Sequence, residues 1–167
     1  LGWQHTIRAR ESYGHLFAGG EMIREAHALS QGVATYFEAG DLKPPLIVYF
    51  SGFHGAETFE GNYMMRIFKS PYLLVTDNRL EGGASYFGSD RLEEQIAGAI
   101  RNTLKQLGFG PRDLILTGLS MGTTAALYYG AQLLPRAIVV GKPLPDWGTV
   151  ALNGRLLRPT GFPTALD

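Results

Sequence analysis

From residue 46 onward the hydrophobic positions fall into short, dense blocks separated by polar stretches rich in glycine. Leu46–Phe50 is an uninterrupted apolar run, LIVYF. A run of that kind marks a strand buried on both faces of a parallel sheet. Residues 72–76, 114–117 and 137–140 have the same character. Between these blocks the period becomes helical. Asp90–Leu107 puts Leu92, Ile96, Ala99, Ile100, Thr103 and Leu107 on one stripe, as in an amphipathic helix lying on a core. Ser89 or Asp90 can cap that helix, Glu93 would complete a capping box with Asp90, and Gly108 would close it. Residues 62–69 and 123–134 predict two further helices, the first followed by Pro71.

Alternation of strand and helix over this stretch predicts a parallel α/β sheet with right-handed crossovers. Ligands of such sheets sit at the carboxyl ends of the strands. Residues 51–61, Asp77 to Ser89, Ser120 and residues 141–146 all fall there. The first 45 residues are less regular. Residues 3–10 and Val33–Glu38 read as strands, and Gly14, Gly19 and Gly20 as turns. Residues 21–29 suggest a short helix, with Met22, Glu25 and Leu29 at helical spacing and Gly32 beyond its end.

The chemistry concentrates at Gly118-Leu119-Ser120-Met121-Gly122, between the third buried run and the helical stretch after it. A G-x-S-x-G pentapeptide in a strand-turn-helix context is the nucleophile elbow of the α/β-hydrolases. The serine needs a tight turn so that its hydroxyl stands above the sheet, and small flanking residues let strand and helix approach. A plain strand-turn-helix connection is the bland alternative, and the type and order of both neighbours weigh against it. The expected fold is therefore α/β and α/β-hydrolase-like, with a mostly parallel sheet and flanking helices. Residues 1–45 would supply N-terminal strands and connections, and residues 46–167 the core with the elbow.

Composition narrows the reading. The chain has 167 residues, 45% hydrophobic and 18% charged, which fits one globular domain. Fifteen basic and 15 acidic residues cancel, so there is no electrostatic case for nucleic acid as partner. There is no cysteine, which excludes thiolate catalysis, disulfides and cysteine zinc sites. No metal site or nucleotide-binding signature is expected, and no run is long enough to span a bilayer. The chain starts at Leu1 and stops at Asp167 shortly after Gly161-Phe162-Pro163, so a fragment of a longer protein, truncated at its C-terminus, is expected.

Around Ser120 the candidates are as follows. The N–H of Met121, at the start of the helix, is a natural oxyanion donor. The loop after the first buried strand, Ser51-Gly52-Phe53-His54-Gly55, supplies the second donor in the hydrolase layout, and the Phe53 N–H is favoured. Gly52 and Gly55 would allow close backbone approach. His54 can touch substrate, orient the loop or simply be solvated. Asp77 and Arg79, with Glu81, can bind a polar substrate or form a salt-bridged connection. Tyr86, Phe87, Tyr128 and Tyr129 can make a sugar-stacking surface, although Tyr128 and Tyr129 suit a core equally. Asp146 can be a triad acid or a turn residue. His5, His15, His27 and His54 all precede Ser120, whereas the hydrolase order is serine, acid, histidine. Either an early histidine serves in an unusual order or the base lies beyond Asp167; the cut-looking terminus favours the second, and the fragment alone is then expected to be nearly inactive.

Several stretches together resemble one known family. They are residues 20–26 (GEMIREA), 49–53 (YFSGF), 77–83 (DNRLEGG), 118–123 (GLSMGT), 140–144 (VGKPL) and 158–164 (RPTGFPT). The set is similar to the second accessory secretory protein of the Gram-positive accessory Sec system, over nearly the whole chain. The resemblance implies a cytoplasmic protein with an α/β-hydrolase-like catalytic domain. It implies O-acetylation of N-acetylglucosamine on glycosylated serine-rich-repeat adhesins, coupled to their export. It implies as partners the adhesin substrate, other accessory secretory proteins and the accessory export motor. The family's nucleophile maps onto Ser120, and its acid and histidine belong to a more C-terminal part. The acetyl donor is not identified by the sequence. A generic serine esterase and a non-enzymatic export scaffold are the alternatives.

Overall fold

The computed structural model describes residues 24–30, 33–52, 59–77, 86–87 and 89–143. Six strands form one sheet: β1 (Arg24–Ser30), β2 (Val33–Glu38), β3 (Leu46–Phe50), β4 (Tyr72–Asp77), β5 (Leu114–Leu119) and β6 (Ala137–Gly141). Three α-helices connect them: α1 (Asn62–Arg66), α2 (Asp90–Leu107) and α3 (Met121–Leu133). The strand order is β1-β2-β4-β3-β5-β6. β4, β3, β5 and β6 are mutually parallel, and β1 and β2 add an antiparallel margin.

The apolar runs are strands for the expected reason. Side chains alternate between sheet faces, and both faces are covered. Val48, Phe50, Leu73, Val75, Leu114 and Leu116 join Leu92, Ile96 and Ile100 of α2 and Ala125, Ala126 and Tyr129 of α3 in one core. Their neighbours Ile47, Tyr49, Tyr72 and Leu74 point the other way and pack with Tyr36, Met65 of α1 and Phe59. The sheet is thus the middle layer of three.

Helix α2 has the bounds the pattern gave. The Leu92 N–H donates to the Ser89 hydroxyl at 3.2 Å, so Ser89 is the cap, and the Asp90–Glu93 box is not formed. Asp90 and Glu93 lie in the first turn, where negative charge suits the helix dipole. Gly108 closes the helix at φ 71°, the left-handed conformation that glycine adopts without a Cβ clash.

Helix α1 is shorter than the stretch 62–69 suggested, ending at Arg66. The helix expected over 21–29 is not there: residues 24–30 are strand β1, registered against β2 from Arg24↔Glu38 to Ser30↔Val33. Ladder pairing across a two-residue connection overrode a weak helical spacing. The strand expected at 3–10 lies outside the described residues. No described helix is long and apolar enough to cross a membrane.

Candidate active site

Ser120 lies between β5 and α3 at the carboxyl edge of the parallel strands, with φ 52° and ψ −114°. A non-glycine residue at that conformation is strained and must be held by its surroundings. The holding groups are visible. The Ser120 N–H donates to the Gly141 carbonyl at the end of β6, at 2.9 Å. The Thr123 N–H donates to the Ser120 carbonyl at 3.1 Å. The buried Thr123 hydroxyl lies 3.2 Å from the Gly141 carbonyl, so the first turn of α3 is tied to β6.

The flanking glycines are there for space. A Cβ on Gly118 would collide with the Gly122 carbonyl, and a Cβ on Gly122 with the Phe50 carbonyl at the end of β3. Strand β5, helix α3 and strand β3 therefore meet at van der Waals distance just beneath the serine. Ser120 itself is half-buried and makes no capping hydrogen bond to α3. The Met121 amide opens the helix and has no intrahelical acceptor.

On the β3 side, Gly52 lies against the residue preceding the serine: a Cβ there would be 2.7 Å from the Leu119 carbonyl. Its N–H donates to Glu60 Oε2 at 2.5 Å and is thereby committed. Phe53, His54 and Arg79 lie outside the described residues. Asp77, a candidate for polar substrate contact, is fully buried at the end of β4, and its carboxylate accepts the Tyr86 N–H at 3.1 Å.

The four aromatics divide. Tyr86 and Tyr129 are core residues. The Tyr86 hydroxyl donates to the Ser51 carbonyl at 2.6 Å, with the Val75 carbonyl also near at 3.2 Å, and the Tyr129 hydroxyl donates to the Tyr86 carbonyl at 2.7 Å. Burial, and then the charge of Asp77, pushes the Tyr86 hydroxyl well above the usual tyrosine pKa. Phe87 and Tyr128 stay partly exposed as an edge-to-face pair with ring centroids 4.7 Å apart. Sequence reasoning missed Glu60 and the inward role of Tyr86. Glu60 stands eight residues after Gly52, and a lone carboxylate in a glycine-containing stretch of sequence is a faint signal. Among the described residues no cluster of His, Asp and Glu could hold a metal.

The chain is similar to several known proteins. The chain is 48% identical to the second accessory Sec system protein of Streptococcus gordonii, over all of its own length and 32% of that protein. It is 51% identical to the corresponding Staphylococcus aureus protein, with the same coverage. It therefore spans about a third of the length of the curated relatives it matches. A chain in the Glycosylation Associate Protein (Gap123) complex of Streptococcus agalactiae superposes with a TM-score of 0.75 at 52% identity, over 86% of this chain and 28% of that one. At 18% identity, the capsule O-acetyltransferase of Neisseria meningitidis serogroup A (TM-score 0.61, 83% of this chain and 57% of that one) shares the fold. So does an α/β-hydrolase from a deep-sea metagenome (TM-score 0.53, 72% and 56%). The fold is α/β-hydrolase-like. The family described as accessory Sec system GspB-transporter matches residues 1–167, and the chain belongs to it.

Proposed function

We propose that this chain carries the nucleophile of a serine-dependent acyl transfer. The group transferred is acetyl, and the acceptor is N-acetylglucosamine on glycosylated serine-rich-repeat adhesins, modified in the cytoplasm and exported by the accessory Sec system. The observation that carries the reading is the backbone of Ser120, at φ 52° and ψ −114° between a parallel strand and a helix. A protein has little reason to hold a serine there unless its hydroxyl is used, and nucleophile elbows have this shape. Family membership supports the export context.

In the first step the Ser120 Oγ attacks the acetyl carbonyl of a donor ester or thioester while a general base takes its proton. The oxyanion is held by the N–H groups of Met121 and Phe53. Collapse expels the donor's leaving group, which takes up the proton, and leaves acetyl-Ser120. A sugar hydroxyl then attacks that ester and gives its proton to the base, which passes a proton to the departing Ser120 Oγ as the acyl–serine bond breaks. All four histidines precede Ser120 in sequence. We place the base and acid in the part of the longer relatives that these residues do not cover. Other accessory secretory proteins and the export motor are the partners in this reading, and His54 and Arg79 remain candidates for substrate contact.

The test uses the full-length protein. Wild type is expected to be labelled at Ser120 by an active-site phosphonate and to move acetyl from an activated ester to N-acetylglucosamine, and Ser120→Ala to do neither. Release of acetate to water without sugar acetylation would make it a plain serine esterase. Failure of the wild type to label would leave an export scaffold.

A further inference from the structure

We propose that Lys142 is the anchoring cation for a phosphate-bearing acyl donor: its ammonium, at the carboxyl edge of the sheet beside Ser120, holds the negative charge of the molecule that delivers the acetyl group. The inference rests on the reading of Ser120 as nucleophile and deepens it by naming the class of donor.

Lys142 directly follows Gly141, the last residue of β6, and its main chain is tied to that of the nucleophile. Gly141 pairs with Leu119 across β5 and β6, so the exit of β6 lies against the turn at Ser120. The Gly141 carbonyl accepts the Ser120 N–H at 2.9 Å and lies 3.2 Å from the Thr123 hydroxyl. The carbonyl carbon of Gly141 is bonded to the Lys142 nitrogen, which places that nitrogen within about 5 Å of the Ser120 nitrogen.

Lys142 is held at φ 53°, a conformation that glycine or asparagine takes at less cost. Leu42, Lys69 and Leu134 share it, but they stand on connections leading into β3, β4 and β6, at the opposite edge of the sheet. At the carboxyl edge, among the described residues, it occurs at Ser120, Tyr86 and Lys142. Backbone strain alone therefore does not single out Lys142; strain at the edge that carries the nucleophile does.

The Lys142 side chain is exposed and makes no ion pair among the described residues. Asp77 and Glu60, two carboxylates of this edge, are committed to the amides of Tyr86 and Gly52. An ammonium on a flexible stem is a point charge well suited to phosphate. The acceptor, N-acetylglucosamine, carries no charge, so a cation here serves the donor. Acetyl must arrive activated, and an acyl phosphate and the thioester of a phosphorylated carrier share the chemistry that Lys142 binds. With either, the Ser120 Oγ bonds to the acetyl carbon, the acyl–oxygen or acyl–sulfur bond breaks, and the phosphate or thiol departs with the proton that the base took from Ser120. Lys142 forms no covalent bond; it holds the donor's charge while this happens.

The experiment compares full-length wild type, K142G, K142R and Ser120→Ala, with acetyl phosphate, acetyl-coenzyme A or the uncharged p-nitrophenyl acetate as donor and N-acetylglucosamine as acceptor. Glycine adopts a positive φ without a Cβ clash, so K142G removes the charge and leaves the backbone its shape. K142G is expected to lower kcat/KM about 10-fold or more with the phosphate-bearing donor that the protein uses, mainly through KM. The loss with p-nitrophenyl acetate should be smaller by about fivefold or more. K142R should return to within about threefold of wild type. Raising the ionic strength should erode the advantage of wild type over K142G. The donor that shows the loss identifies the source of the phosphate. If K142G does not accumulate as folded protein, K142N, tolerant of the same conformation, carries the same expectation. Equal losses with all three donors, wild-type kcat/KM in K142G with both phosphate-bearing donors, or turnover of p-nitrophenyl acetate alone by the wild type would overturn the proposal, while inactive Ser120→Ala keeps the nucleophile. Turnover by Ser120→Ala equal to wild type would overturn the acyl-transfer reading and this proposal with it.

Discussion

Two buried polar regions of this sheet behave in opposite ways. At the end of β2, Glu38 is almost fully buried, and its carboxylate accepts the Tyr36 hydroxyl at 2.9 Å and the Tyr72 hydroxyl at 2.5 Å. Arg66 reaches it at 3.4 Å, half-exposed on the other side. The backbone there is regular strand, Glu38 pairing with Tyr72 across β2 and β4. At Ser120 the backbone is strained instead. Nearby, on the β3 side, the Ser51 hydroxyl is buried without a hydrogen-bond partner among the described residues. One region satisfies a buried charge with donors on hand and asks nothing of the backbone. The other keeps a strained turn and, among the described residues, an unmatched serine hydroxyl. Stability favours the first arrangement, so persistence of the second points to use.

The contrast can be broken experimentally. The largest effect separates activity from stability. Ser120→Ala in the full-length protein should lower acyl transfer at least about 10³-fold, as loss of a nucleophile does. Its thermal midpoint should stay near that of wild type, because the half-buried hydroxyl caps nothing. Phosphonate labelling and calorimetry on the same sample check both halves. Gly122→Ala should damage both properties at once. Its Cβ would meet the Phe50 carbonyl, which is backbone and cannot swing aside, so about 3 kcal/mol of destabilisation and a loss of labelling are expected.

Glu38→Ala should do the reverse of Ser120→Ala. It takes away the acceptor shared by two buried tyrosine hydroxyls, and about 2 kcal/mol of stability should go with it. Labelling of Ser120 per folded molecule should not change. A chemical denaturation curve beside the labelling rate would decide it, and equal losses of both would refute the separation drawn here.

High pH sharpens the comparison further. Burial raises the Tyr86 hydroxyl above its ordinary value, and burial followed by Glu38 raises that of Tyr72. Unfolded tyrosines ionise near pH 10, about the reference value, while the folded ones stay protonated. The contribution is therefore complete below about pH 10 and is lost as pH rises through the folded pKa. Each such tyrosine steepens the fall by up to about 1.4 kcal/mol per pH unit. Tyr86→Phe should remove one such increment from the slope of unfolding free energy between about pH 10 and 11. The smallest effect lies far from both regions. Leu134 ends α3 in the left-handed conformation at φ 49° with its side chain exposed. Leu134→Gly should raise stability by about 0.5 kcal/mol, read as a shift in denaturation midpoint.

The sequence by itself determined the elements whose signals are local. Leu46–Phe50 had to be a buried strand, because five consecutive apolar residues fit a sheet covered on both faces. Asp90–Leu107 carried its stripe and its glycine stop within its own length. The turn at Ser120 was legible because the residues that need space, Gly118 and Gly122, stand beside the one that needs strain. Tertiary structure decided everything that depends on distant partners. Residues 24–30 became a strand because β2 offered a ladder, against their own helical spacing. Ser89 rather than Asp90 became the cap through the angle at which the chain enters α2. Asp77 turned inward because Tyr86 placed an amide before it, and Tyr86 was drawn under Ser51 by Tyr129, 43 residues further along. Glu60 and Gly52, eight residues apart, meet only in the folded chain. Hydrophobic period and capping act over a few residues and can be read in one dimension. Hydrogen bonds among buried groups form wherever folding brings donor and acceptor together, and no local pattern encodes that meeting.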